Sequence, residues 1–173
     1  ETLWASILYG LAVQAIGIVG GFIFAWFSTR TTMPGAKLMT PIMITIFAIP
    51  TLFFAISWGM LTNPSGFITQ IFGTDATGTT HLDAYSWGGL IFVSGLKTIA
   101  VRYLLLLGPV RALNRSLEEA ALLSGANRFK LFVDINIPIL LPTLSGLAIL
   151  GFVNSLGQLD VALILGVPAG IYV

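Results

Sequence analysis

The sequence predicts an all-α, polytopic helical membrane protein with about four complete transmembrane helices, and three observations carry that expectation. Of 173 residues, 56% are hydrophobic and 9% charged, against roughly a quarter charged in an ordinary soluble domain. Mean hydropathy is +0.95. Apolar runs recur along the chain at about the 20 residues a helix needs to cross a bilayer. A net charge of +1 gives no basic footprint for nucleic acid, and the absence of cysteine excludes disulfides, thiolate metal sites and cysteine nucleophiles. The whole length, 1–173, reads as a single transmembrane domain.

The spans are expected at about 3–27, 39–61, 85–107 and 138–156. The first carries no charge, and Gln14 is its one strongly polar side chain. Trp4 and Trp26 are placed to sit in the two aromatic belts of a bilayer. Gly17 and Gly21 have the GxxxG spacing that lets two helices approach closely. The second span has Pro41 in its first turn and Pro50 inside it, where a kink is expected. Between spans two and three the chain is polar and glycine-rich, with a short interfacial helix expected at Gly66 to Phe72. His81 and Asp83 in that loop read as an exposed pair, since one His-x-Asp is too little for a metal site.

The third span contains Lys97, and Arg102 falls where it is expected to snorkel to the interface. A charge in mid-bilayer costs about 2.5–3.5 kcal/mol on insertion scales, so Lys97 must face protein or water. Ser94, Lys97, Thr98 and Arg102 form one polar stripe at 100° per residue. A structural bond from Lys97 to a backbone carbonyl or a carboxylate competes with a place on a solute path. The fourth span ends in Asn154, Ser155, Gln158 and Asp160, a set that lipid-facing helix does not tolerate. Lys97, Asn154, Gln158 and Asp160 are therefore the candidate path or gate residues. The chain begins at Glu1 and ends at Val173 without a polar tail. It reads as part of a longer protein, with a fifth span expected beyond its last residue.

One long stretch interrupts this pattern, about 108–137. Its part from Ser116 onward carries Glu118, Glu119, Arg128, Lys130 and Asp134. Ser116 and Glu119 have the spacing of a capping box, which predicts a helix starting at Leu117. Gly125 supplies the left-handed residue that closes such a helix. A second short helix is expected over about 128–134, with Pro138 stopping it and opening the next span. Arg30, Lys37, Arg111, Arg115, Arg128 and Lys130 all fall on one side of this topology, and the loop 62–84 has no Lys or Arg. The positive-inside rule then puts the stretch in the cytoplasm and both chain ends outside.

The spacing Glu119-Ala120-Ala121, Gly125, Ile135, Ile137-Pro138 resembles the EAA loop of binding-protein-dependent type I ABC importer permeases, with Ile137 where the family pattern has Leu. In that family the loop forms coupling helices that dock on a separate ATPase. The resemblance implies that Glu119, Ala120, Ala121, Gly125, Ile135 and Pro138 couple this chain to it. It also implies a cytoplasmic ABC ATPase dimer, a second permease half or subunit, an extracytoplasmic solute-binding protein and the bilayer of the bacterial inner membrane as partners. No cofactor is then bound by this chain, and ATP is used by the partner. The closing stretch SLGQLDVALILGVPAGIYV resembles that of ferric iron-type permeases, with Leu159 and Ala162 replacing an aromatic and a proline of the pattern. Ferric iron is thus the first expectation for the solute, beside polyamine, thiamine, phosphonate or sulfate.

Catalysis is not expected. There is no G-x-x-x-x-G-K-[ST] run, and Gly95-Leu96-Lys97-Thr98 has the wrong spacing. An ion-coupled secondary transporter, a channel or a non-transporting membrane scaffold is the alternative. A secondary transporter normally needs carboxylates within its spans, and Asp160 is the nearest candidate.

Overall fold

The computed structural model describes residues 2–73, 83–158 and 160–172. His81 lies outside them. The described chain is helical throughout: α1 Thr2–Arg30, α2 Ala36–Ala48, α3 Thr51–Thr62, α4 Phe67–Phe72, α5 Trp87–Arg111, α6 Arg115–Leu123, α7 Arg128–Leu131 and α8 Ile137–Gly157. A π-turn at Phe132–Asn136 joins α7 to α8, and a second at Ala162–Gly166 runs into a 3-10 turn at Val167–Ala169. Three helical runs are long and apolar enough to cross a membrane: Leu3–Arg30, Trp87–Arg111 and Arg128–Gly157.

The second apolar segment is not one helix. It breaks between α2 and α3 and bends by 99°. Pro50 explains where. It has no N–H to give to the carbonyl of Ile46, four residues back, and its ring disfavours helix at Ile49. Ile49 is accordingly extended, with φ −67° and ψ 123°. The expected kink is a full break.

Helices α1 and α5 form the most extensive pair in the fold. The small residues of α1 make this possible. A Cβ on Gly17 would lie 2.2 Å from Thr98 Cγ2, and one on Gly21 would lie 2.6 Å from Arg102 Cβ and 2.8 Å from the Tyr103 backbone nitrogen. Any side chain at either position would force the two helices apart. Helix α8 packs on the same α1–α5 pair, and most of its remaining surface is apolar and exposed.

Two apolar clusters are stacked along these helices. One gathers Tyr9, Val13, Leu90, Val93 and Leu165, the other Ala25, Met43, Tyr103, Leu106 and Leu140. Between them in register lies a polar layer: Gln14 on α1, Ser94 to Arg102 on α5, and Ser155 on α8. The Tyr9 hydroxyl bonds Ser94 Oγ at 2.5 Å at its edge.

Two local expectations are corrected here. Helix α6 starts at Arg115, not Leu117, because Asn114 rather than Ser116 is its N-cap. Asn114 Oδ1 accepts from the Ser116 backbone N–H at 3.0 Å and from the Ser116 hydroxyl at 2.8 Å. Pro138 does not stop a helix: the chain winds without interruption from Arg128 to Gly157. In a regular helix the proline ring would meet the carbonyl of Asp134. That carbonyl lies inside the π-turn, whose wider winding makes room. Pro168 repeats the device, two residues after the π-turn that ends at Gly166.

Candidate functional site

The EAA-like stretch folds as a helix, a tight turn and a second helix at one end of the bundle. Gly125 has φ +88°. The Ala126 N–H donates to the Ala121 carbonyl and the Gly125 N–H to the Leu122 carbonyl, both at 3.0 Å. This is the double-bonded left-handed cap that satisfies the last carbonyls of a helix. Asn127 then caps the next helix through Lys130 N–H at 2.7 Å. No residue of α6 is buried, and Leu123 and Phe129 are 90% and 76% exposed. Glu119 and Ala120 are exposed on α6, Ala121 is half-buried, and Ile135 and Pro138 lie at the π-turn where the stretch enters α8.

An ion pair that the sequence reading did not pick out anchors this unit. Arg30, the last residue of α1, lies 3.4 Å from Glu118 on α6. Its guanidinium also donates to the carbonyls of Val110, at 3.0 Å, and Leu113, at 2.7 Å, where α5 ends. One arginine thus closes the C-terminal end of α5 and holds α6 against α1. The signal available in the sequence was only a lone loop arginine and an acidic residue 88 positions away, one place before the EAA motif. Beside this pair a cavity of about 550 Å³ is lined by Trp26, Arg30, Arg115, Arg128, Phe132 and the buried Asn136.

The candidate path residues separate. Lys97, Asn154 and Gln158 line one cavity of about 250 Å³ in the polar layer, together with Gln14, Arg102 and Ser155. Asp160 is exposed and does not line it. Helix α8 ends at Gly157, and Gln158 is extended, with ψ 96°.

Lys97 has a structural task within this cavity. Its Nζ donates to the carbonyl of Ile46 at 2.6 Å, to that of Phe47 at 3.0 Å and to that of Ile49. The Ile46 carbonyl is the one that Pro50 cannot serve. A cation at the C-terminal end of α2 also faces the negative end of its dipole. The ring of Phe54 lies 5.8 Å from the ammonium.

Arg102 departs from the expectation that it snorkels. It is 6% exposed, and its Nη2 donates to Gln14 Oε1 at 2.7 Å. The space it occupies exists because residue 151 is glycine: a Cβ there would lie 1.8 Å from Arg102 Nη2 and 2.2 Å from Gln14 Oε1. Its Nε is buried with no partner among the described residues. The stripe Ser94, Lys97, Thr98, Arg102 therefore faces protein and cavity along its length.

Residues 17–172 match the family described as binding-protein-dependent transport system inner membrane component. The chain belongs to this family of permeases. Its relatives include a putative ferric transport system permease of Haemophilus influenzae, 25% identical over 154 residues, which are 89% of this chain and 24% of that protein. The molybdenum transport system permease of Escherichia coli is 26% identical over 159 residues, 90% of this chain and 68% of the relative. The sulfate transport system permease of Salmonella typhimurium is 28% identical over 153 residues, 88% and 54%. The permease chain thus spans about a quarter of the ferric relative's length, half of the sulfate relative's and two thirds of the molybdenum relative's. These relatives are transport permeases, not enzymes. With its apolar helices the chain is a multi-pass protein of the inner membrane.

Proposed function

We propose that this permease chain forms part of the translocation path of an ABC importer and couples that path to a separate cytoplasmic ATPase. One observation carries the reading. The EAA-like stretch is a solvent-exposed helix–turn–helix, closed at Gly125, with Leu123 and Phe129 unburied, and Arg30 ties it rigidly to the ends of α1 and α5. Such an element transmits force from a docked partner to the membrane helices, because its attachment is charged, hydrogen-bonded and largely shielded from water. The basic residues at this end, Arg30, Arg115, Arg128 and Lys130, support a cytoplasmic location. ATP is then consumed on the partner chain, and an external binding protein delivers the solute.

A ferric solute has support in the ferric relatives, and sulfate and molybdenum transport have equal support at similar identity. The experiment that tests the coupling role is site-directed cross-linking in the intact transporter. A cysteine at Leu123 or Phe129 is expected to form a disulfide with cysteines on the ATPase surface, and the cross-link is expected to block uptake. Failure of every such pair to cross-link, with the transporter assembled, defeats this assignment.

A further inference from the structure

The polar cavity is charged in one sense only. Of the described residues lining it, Lys97 and Arg102 are the basic ones, and no carboxylate is among them. Among the described residues the ion pair found is Arg30 with Glu118, at the C-terminal end of α1 and away from the cavity. Taking one cation out of water costs several kcal/mol, and the usual remedy is a paired anion. Here Arg102 has a neutral amide for Nη2 and, among the described residues, nothing for Nε. Lys97 spends its donors on three carbonyls, which fix it in place but leave its positive charge in the cavity.

The geometry favours a particular kind of anion. With Nε buried and Nη2 held by Gln14, Nη1 is the part of the Arg102 guanidinium left to donate to an oxygen of a ligand. Asn154 and Gln158 add amide groups that bond no other described side chain. The cavity has a volume of about 250 Å³. It lies below the range of about 300–1,000 Å³ typical of sites for larger organic ligands. A bare ferric ion, a hard cation wanting anionic oxygen ligands, meets two positive charges instead.

We infer that this cavity is a transient binding site for a small oxyanion of the sulfate, molybdate or phosphate type on its way through the membrane, with Arg102 as the residue that grips it. The inference rests on the reading of the chain as part of an importer's path. Lys97 contributes field, Asn154 and Gln158 contribute adaptable hydrogen bonds, and Gly151 keeps the space in which the guanidinium lies. Net attraction by a fixed positive cavity, without a complete ligand cage, suits a site that a solute must leave again.

The test uses the complete permease with its ATPase and binding protein in proteoliposomes, and labelled sulfate, molybdate, phosphate, ferric ion, spermidine and maltose as probes. ATP-dependent uptake of at least one oxyanion, and of none of the last three, is expected. Arg102→Gln is expected to lower that uptake at least tenfold, and Arg102→Lys less than threefold. Gln14→Glu separates binding from folding. It places a carboxylate against Arg102, which a purely structural arginine welcomes, so assembly and thermal stability hold or rise. Oxyanion uptake is nevertheless expected to fall tenfold or more, because the cavity's charge is now partly cancelled. Wild-type oxyanion uptake by Gln14→Glu, or transport of ferric ion, spermidine or maltose instead, overturns the inference while leaving the importer reading intact. So does a structure of the assembled transporter with a carboxylate of the second permease half paired to Arg102. If the assembled complex takes up none of the probes in an ATP-dependent way, the importer reading falls and takes this inference with it.

Discussion

Arg30 and Glu118 meet at 3.4 Å across the junction between the first helix and the EAA-like helix, and the arginine matters more than the pair. The pair is long at 3.4 Å, so losing its carboxylate costs less than losing a guanidinium that also serves two carbonyls. The bonds from the guanidinium to the Val110 and Leu113 carbonyls are charge-assisted, at about 1.5–3 kcal/mol for hydrogen bonds of this type. Arg30→Met is therefore expected to lower the thermal stability of the purified transporter clearly, and Glu118→Gln only slightly. Both are expected to loosen coupling, read as ATP hydrolysed per solute carried. A larger stability loss for Glu118→Gln than for Arg30→Met contradicts this ranking.

Gly125 provides a second test of the same unit. Its φ of +88° costs a residue with a Cβ roughly 1–2 kcal/mol, and most for a β-branched one. Gly125→Val is expected to break the double-bonded cap and misdirect α7, so that ATP hydrolysis no longer drives uptake while membrane insertion is normal. Asparagine tolerates this conformation better, so Gly125→Asn is expected to retain more uptake than the valine variant. Uptake at the wild-type level in Gly125→Val sinks the proposal that this turn transmits force.

How much of this was legible in the sequence depends on the range over which each feature is decided. Gly125 and the GxxxG pair were readable, because a left-handed cap and a close helix contact each demand glycine at a fixed local spacing. Pro50 announced a distortion but not its size, since whether a helix kinks or breaks depends on what can satisfy the freed carbonyls. That answer lay in Lys97, 51 residues from Ile46. The role of Arg102 was hidden for the same reason: its partner Gln14 is 88 residues away, and its space is cleared by Gly151 on another helix. The cap of α6 went to Asn114 over Ser116 although both are good cap residues, a choice of two positions that a short motif does not settle. Pro138 misled because the rule for proline assumes regular winding, and a π-turn suspends it.

Lys97 and Pro50 are two halves of one device. The proline removes a donor from the Ile46 carbonyl and the lysine supplies one at 2.6 Å. Lys97→Met should leave acceptors unserved at the break, at a cost of about 1–3 kcal/mol each where water cannot reach them. If the two residues act together, restoring the backbone donor with Pro50→Ala should recover part of that loss, so that the double mutant is more stable than the two single effects added. Strict additivity of the two substitutions in thermal unfolding shows that they do not act together. A cysteine at position 97 that reacts with lipid-soluble reagents alone places this face in lipid and contradicts the arrangement altogether.

The end of α8 separates two kinds of polar residue that look alike in the sequence. All three are exposed, but Asn154 and Gln158 line the cavity and Asp160 stands outside it. A residue on a path alters passage when its hydrogen-bonding group is removed; a residue on a helix end alters little, usually within about 0.5 kcal/mol in stability. Asn154→Ala and Gln158→Ala are therefore expected each to change uptake severalfold, and together more, with stability nearly unchanged. Asp160→Ala is expected to stay within twofold of the parent. The measurement is the initial uptake rate in proteoliposomes at equal amounts of assembled transporter, with ATP hydrolysis followed in parallel. Normal uptake by the Asn154→Ala, Gln158→Ala double variant reduces this segment to a helix terminus. A strong loss in Asp160→Ala alone moves the gate outward, to the segment that follows α8.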